Sequence, residues 1–132
     1  MKYILQALLV VLFALGTSQA SAKSKSISGY WKGGGSFTTS SGTRERTRCR
    51  AKIKARSKKR YSIFAKCSTA SLGIIEQSGT VKQVGKNRFR GRFTNEDYDI
   101  HGSIQITLRG NKQYMSLRSP SGNGNLTLRR LR

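Results

Sequence analysis

Basic side chains recur at every second position over one stretch of the sequence, and this spacing is the strongest chemical signal in the chain. The positions are Arg44, Arg46, Arg48, Arg50, Lys52, Lys54, Arg56, Lys58 and Arg60. Because alternate residues of a β-strand lie on one face, at least the first seven would form a single cationic row, here called the ladder (Arg44 to Arg56). Such a row can bind the phosphates or carboxylates of a polyanion through charge alone.

The ladder has almost no acidic residues to balance it, since Glu45 is the only one nearby. Cations two residues apart in a strand are about 6.7 Å apart, less than the screening length of roughly 8 Å at physiological salt, so they repel one another. A face that only keeps a protein soluble would mix both signs of charge. We interpret the ladder as an anion-binding surface, and a solvated face that protects a sheet edge is the alternative. We also predict anion binding by three further cations with the same two-residue spacing, Arg88, Arg90 and Arg92.

Residues for catalysis or metal binding are scarce. The 132 residues include one His, His101, and five Asp and Glu against 26 Lys and Arg, for a formal charge of +21. Asp97 and Asp99 lack the further oxygen ligands of a calcium loop, and no G-x-S-x-G motif is present. The three glycines at residues 33–35 lack the Lys-Ser/Thr of a phosphate-binding loop, and we interpret them as a bulge or a bend at a barrel corner. We therefore expect no enzymatic activity, no metal and no cofactor.

Residues 1–22 have the pattern of a secretory signal peptide. Lys2 is followed by an apolar stretch over residues 3–15 and then by an A-x-A ending at Ala22. The apolar stretch is shorter than the roughly 20 residues that a membrane span needs. We predict cleavage after Ala22, or alternatively after Ala20, and export of a mature chain without a transmembrane span.

The only two cysteines, Cys49 and Cys67, both lie after the predicted cleavage site. An oxidising compartment favours a disulfide between them, and two buried free thiols are the alternative. A hairpin centred on Lys58 would place Cys49 directly opposite Cys67 and Ile53 opposite Ile63. Directly opposed strand residues lie within the distance that a disulfide tolerates. The apolar pattern and the disulfide therefore support the same pairing.

After a polar, flexible tail predicted at residues 23–27, residues 28–132 have the pattern of a single all-β domain. Apolar and polar residues alternate almost throughout, and turn-forming residues interrupt the alternation at short intervals. The predicted strands are 28–38, 44–56, 60–69, 73–84, 87–94, 99–109, 112–119 and 124–131. Sequential antiparallel strands with one apolar face can close into a barrel or stack as a sandwich. The tight turns favour a small eight-stranded antiparallel up-and-down barrel.

Two local patterns resemble known families. Gly29-Tyr30-Trp31 resembles the G-x-W signature of the lipocalin and avidin-type calycin barrels. This resemblance implies that Trp31 closes one end of the barrel and packs against an arginine of the last strand, for which Arg130 has the matching position. It does not imply biotin binding, because avidins enclose biotin with several tryptophans and Trp31 is the only one here. The wider pattern G-x-W-x-G-x-G, R-x-R-C-R-A and a second cysteine is similar to small exported alphaproteobacterial proteins of no assigned activity.

These observations lead to three functional hypotheses. The leading one is an exported bacterial protein, periplasmic or secreted, whose ladder binds an anionic polymer or makes a peripheral contact with the envelope. Lipopolysaccharide, an acidic polysaccharide and a nucleic acid are the candidate polymers. The second hypothesis is a calycin-type carrier with a small apolar ligand inside the barrel, which requires interior space. The third is a docking protein for an acidic protein partner.

Overall fold

The chain folds into antiparallel strands that close into a barrel. In the computed structural model, which describes residues 26–131, the strands are β1 (Gly29–Thr39), β2 (Arg44–Ser57), β3 (Arg60–Thr69), β4 (Gly73–Gly85), β5 (Arg88–Asn95), β6 (Ile100–Arg109), β7 (Lys112–Ser119) and β8 (Gly122–Leu131). Each strand pairs with its neighbours in chain order, and β8 pairs with β1 to close the sheet. The predicted eight-stranded up-and-down barrel is therefore confirmed. The predicted signal peptide (1–22) and residues 23–25 lie outside the described residues.

The observed strand boundaries lie within two residues of those expected from the sequence. The largest difference is at β8, which begins at Gly122 and not at residue 124. It begins earlier because Ser119 already pairs with Gly122, and the Ser119 hydroxyl donates a hydrogen bond of 3.1 Å to the Gly122 carbonyl. The register of the β2–β3 hairpin is as predicted, with Cys49 opposite Cys67. Within the described part of the chain, no helix has the length and apolar character needed to cross a membrane.

The alternating pattern points the apolar side chains into the barrel, where they fill most of the interior. Trp31, Ile106 and Leu128 are among the side chains that are almost completely buried. Near the end of the barrel opposite Trp31, a cavity of about 50 Å³ lies beside the disulfide, Leu72 and Ile75. Pockets that hold small molecules usually measure about 300–1,000 Å³. This cavity has room for a few water molecules and not for a ligand of ordinary size.

Residues just before β1 close the other end of the barrel. Ile27 is fully buried, and its carbonyl accepts a hydrogen bond of 2.9 Å from Trp31 Nε1. The prediction of a flexible tail at residues 23–27 is therefore wrong for residues 26 and 27. The apolar Ile27 side chain reaches the core, so the segment folds over the barrel end and satisfies the buried indole N–H.

Arg130 of β8 completes this closed end. Its guanidinium lies 4.4 Å from the centre of the Trp31 ring, which is the contact that the calycin resemblance implies. Its terminal nitrogens donate hydrogen bonds to the carbonyls of Ser28 at 2.7 Å and Ser26 at 2.5 Å. Burial lowers the pKa of Arg130 by desolvation, yet an arginine remains charged at neutral pH. The side chain thus joins the last strand to the segment that precedes the first.

The three glycines at residues 33–35, predicted as a bulge or a bend at a barrel corner, form no bulge. Pairing of β1 with both β2 and β8 continues through them without a register shift. The strands β1 and β8 approach so closely that a Cβ atom at Gly33 or Gly35 would collide with the carbonyl oxygens of Thr127 or Asn125. Glycine is required at these two positions because only glycine lacks that atom.

A disulfide joins Cys49 and Cys67 across β2 and β3, as predicted. The two residues are 18 positions apart in the sequence, and closing a loop of this length contributes about 3 kcal/mol to the free energy of unfolding.

We expect the double variant Cys49→Ser, Cys67→Ser to lose roughly that amount of unfolding free energy, about 3 kcal/mol, in urea unfolding. Reductant should destabilise the parent protein and leave the double variant unchanged. Two reactive thiols in the unreduced exported protein would contradict the assignment.

Candidate anion-binding site

The whole ladder lies on the outer face of β2. Its seven cations are exposed, and the residues between them include the buried Cys49, Ala51 and Ile53. This division follows from the two-residue period of a strand, since the apolar residues enter the core and thereby turn every cation toward solvent. The sequence prediction of a single outward cationic row on this strand is thus met in the structure.

A second row of cations crosses the ladder at Arg50. Arg50 lies directly opposite Lys32 of β1 and Lys66 of β3. Lys32 in turn lies opposite Arg129 of β8, which lies opposite Lys112 of β7. These five exposed cations, Lys66, Arg50, Lys32, Arg129 and Lys112, are here called the cross row. Like charges directly opposite one another destabilise a sheet, so the arrangement is unfavourable in the protein alone.

Sequence reasoning missed the members of the cross row outside the ladder. Lys32, Lys66 and Arg129 follow no local spacing, so the sequence alone gives each the appearance of an ordinary surface cation. The sequence does contain a signal for the contact between Arg50 and Lys66. The hairpin register predicted from the cysteines already places these two residues opposite each other, because Arg50 directly follows Cys49 and Lys66 directly precedes Cys67.

Acidic residues do little to neutralise these cations. Among residues 26–131, Glu76 forms a salt bridge of 3.6 Å with Lys66, and both side chains are more than half exposed, which makes the pair weak. Glu45 accepts a hydrogen bond of 2.7 Å from the Ser71 hydroxyl and so is oriented toward the β3–β4 turn. The other three acids of the chain lie in the turn between β5 and β6, at Glu96, Asp97 and Asp99.

The acidic turn contains one contact between a histidine and an acid. His101 Nε2 lies 3.1 Å from Asp99 Oδ1, and both side chains are largely exposed. Across the part of the chain that the structure describes, no group of three or more His, Cys, Asp and Glu side chains is placed to hold a metal ion.

Two open grooves lie along the ladder. The first, of about 930 Å³, crosses the outer face of β1, β2 and β3 and reaches β4 and β8, and its cations are Lys32, Arg48, Arg50, Lys52 and Lys66. The second, of about 730 Å³, crosses β2 to β5, and its cations are Lys52, Lys54, Arg56 and Arg92. Glycine lines each groove, Gly34 in the first and Gly79 in the second. Because Lys52 and Phe64 line both, the grooves continue into one another.

The predicted anion-binding residues are only partly brought together. Arg92 lines the second groove with the ladder, whereas Arg88 and Arg90 line neither groove. Arg44 and Arg46 are exposed at the start of β2 but also line neither groove. We define the basic face as the cations that line the two grooves together with the cross-row neighbour on β8. Its members are Lys32, Arg48, Arg50, Lys52, Lys54, Arg56, Lys66, Arg92 and Arg129.

Aromatic side chains lie among the cations of the basic face. Lys52 is directly opposite Tyr30 on one side and Phe64 on the other, and its Nζ lies 5.4 Å from the centre of the Tyr30 ring. Sequence reasoning missed the outward position of Tyr30, which is 52% exposed. The signal was present, since an inward Trp31 turns its strand neighbour Tyr30 outward.

Comparison with known proteins identifies the fold and nothing finer. No protein-family model matches the sequence, and no curated protein matches it either. Among solved structures, a redesigned β-barrel, mFAP1, bound to DFHBI has a TM-score of 0.66 and 18% identity, covering 78% of this chain and 94% of that one. The redesigned barrel mFAP0, also bound to DFHBI, has a TM-score of 0.65 and 19% identity, covering 78% and 97%. A fluorescence-activating β-barrel of de novo design has a TM-score of 0.62 and 16% identity, covering 79% and 93%. These matches show a small β-barrel fold alone.

Proposed function

We propose that this protein is an exported, non-enzymatic binding protein that holds anionic polymers or an anionic envelope surface against its basic face. The observation that carries the proposal is the crossing at Arg50. There, a cation of the ladder has a cation directly opposite it on both neighbouring strands. The same row continues through Lys32 to Arg129.

Electrostatics explains why this arrangement suits a polyanion. A bound chain of phosphates or carboxylates would convert repulsion between neighbouring cations into attraction and release the counterions of the polymer. Arginine can also hold a phosphate or carboxylate with two parallel hydrogen bonds, which favours Arg48, Arg50 and Arg56 as direct contacts. The side chains are exposed and belong to a regular sheet, so they would contact backbone charge at regular spacing and not a particular sequence.

The proposed location is the bacterial periplasm or the medium. The Cys49–Cys67 disulfide favours an oxidising compartment outside the cytoplasm. The predicted signal peptide at residues 1–22 is consistent with this location. The contact between Trp31 and Arg130 supports placing the barrel among calycin-type folds.

The two alternative functions have less support. A carrier needs a cavity, and the interior space beside the disulfide is about 50 Å³. Three of the solved barrels of similar fold are bound to DFHBI, but a similar fold at this level of identity does not transfer a ligand. An acidic protein partner could bind the same cations and is distinguished from a polymer by experiment.

The experiment compares two single substitutions that remove the same charge. We expect Arg50→Gln to reduce the slope of log affinity against log salt for DNA by about one unit, whatever the base sequence. The control Arg118→Gln, at an exposed position on β7, should leave that slope unchanged. Lipopolysaccharide and an acidic polysaccharide should show the same order of effects. Equal slopes for the parent and both variants, or no binding to any of the three polymers, would contradict the proposal.

A further inference from the structure

A row of exposed apolar side chains runs beside the cross row. Leu131 of β8 lies opposite Tyr30 of β1, and Lys52 of β2 separates Tyr30 from Phe64 of β3. The exposed fractions of Leu131, Tyr30 and Phe64 are 42%, 52% and 45%. A fourth apolar side chain, Ile74, is 77% exposed. Ile74 lies opposite Ser68 of β3, on the far side of Lys66 from Phe64. All four line the first groove and are here together called the apolar row (Leu131, Tyr30, Phe64 and Ile74).

Cations lie on both sides of Leu131, Tyr30 and Phe64, and the cross row separates these three from Ile74. One step along the strands toward the β1–β2 turn are Arg129, Lys32, Arg50 and Lys66 of the cross row. On the other side, Lys54 and Arg92 line the second groove together with Phe64. Single exposed apolar residues are common on protein surfaces. Several of them in one groove, bordered by positive charge, indicate a partner that is both anionic and apolar.

The composition of the apolar row discriminates between anionic partners. A polysaccharide would use the cations and leave Ile74 and Leu131 in water. A single-stranded nucleic acid could stack bases on Tyr30 and Phe64, but aliphatic side chains offer no ring for stacking. An anionic phospholipid bilayer satisfies both groups, because its phosphates lie at the level of the cations and its acyl chains lie just beneath.

We infer that the basic face docks on the surface of an anionic phospholipid bilayer, with the apolar row inserted between the headgroups. The inference rests on the proposed function and assigns its partner. Lys32, Arg50 and Lys66 would contact phosphates while Tyr30, Phe64 and Ile74 enter the boundary with the acyl chains. Lys52, whose ammonium lies near the Tyr30 ring, would extend its charge to the phosphates and keep its stem against the aromatic surface.

The test measures binding to phosphatidylglycerol–phosphatidylcholine vesicles and, in parallel, to DNA. The parent protein should bind the mixed vesicles and should bind pure phosphatidylcholine vesicles far more weakly. The triple variant Tyr30→Ser, Phe64→Ser, Ile74→Ser should lose about tenfold in vesicle affinity for each side chain removed. Its affinity for DNA should stay within about threefold of the parent, with the same salt slope, because the cations are intact.

The matched control is Val84→Ser, Tyr98→Ser, Tyr114→Ser, which removes three exposed apolar side chains outside the first groove. It should bind vesicles as the parent does, and both variants should unfold at similar urea concentrations. Equal vesicle affinity of the two variants would overturn the inference. Equal loss of DNA and vesicle binding in the triple variant Tyr30→Ser, Phe64→Ser, Ile74→Ser would overturn the inference in favour of a nucleic acid. Binding of the parent to DNA but not to mixed vesicles would overturn the lipid assignment alone. Binding to neither of these, nor to lipopolysaccharide or an acidic polysaccharide, would also overturn the proposed function.

Discussion

Replacing Arg46, Arg48, Arg50, Lys52 and Lys54 together by Gln should greatly weaken the salt dependence of DNA binding. Each phosphate that a cation neutralises contributes about −0.9 to the slope of log affinity against log salt, so five contacts give roughly −4.5. Loss of the row should flatten the slope by several units, and it should do so equally for DNA of different base composition. Titrations over a range of salt concentrations measure the slope directly.

The five-fold variant should remain folded, which makes the loss of binding interpretable. All five side chains are exposed on β2, and removing neighbouring like charges offsets the packing lost from their aliphatic stems. A second five-fold variant serves as a control for net charge: Lys86, Arg88, Arg90, Arg109 and Arg118, all exposed, are replaced by Gln. It should keep most of the slope. If both variants bind alike, attraction depends on total charge, and the ladder is only a solvated face.

Trp31→Ala should lower the free energy of unfolding by about 3–5 kcal/mol, because removing a large buried aromatic ring leaves a cavity. Trp31 is completely buried, donates its hydrogen bond to the Ile27 carbonyl and carries the stacked Arg130 side chain. The loss is comparable to the whole stability of many small domains. The milder variant Trp31→Phe keeps a ring for Arg130 and loses the hydrogen bond, so it should cost about 1–2 kcal/mol.

Tyr30→Ala is the matched control, since the adjacent side chain points outward and is 52% exposed. It should change the free energy of unfolding by less than about 1 kcal/mol. Urea unfolding followed by circular dichroism compares the three variants. Because Trp31 is the only tryptophan in the chain, the parent protein should also show blue-shifted emission that moves to the red on unfolding. Emission of a water-exposed indole in the folded protein would contradict the closed barrel end.

The barrel could be predicted from the sequence because two independent constraints require the same register. The alternation of apolar residues pairs Ile53 with Ile63, and the disulfide pairs Cys49 with Cys67. A shift of one residue would turn every apolar side chain of a strand to the outside. Strand positions in such a chain are therefore strongly determined by local pattern.

The rest of the surface depends on pairing between strands distant in the sequence. The cross row becomes visible only when β1 is placed between β2 and β8, which brings Lys32 beside both Arg50 and Arg129. The burial of Ile27 has no signal in the sequence, because one apolar residue between two serines has no period. The glycines of β1 are explained by the approach of β8, a contact that the local sequence does not encode.

During folding, the barrel is complete only when β8 has paired with β1. The hydrogen bond from Arg130 to Ser28 joins residues 102 positions apart, and such distant contacts require a large loss of chain entropy before they form. Until β8 is in place, the unfinished sheet has two open edges that can pair with other copies of the chain. The large positive charge makes partly folded copies repel one another during this interval. The cations that would attract a polyanion to the finished barrel therefore also oppose aggregation while the last strand is still free.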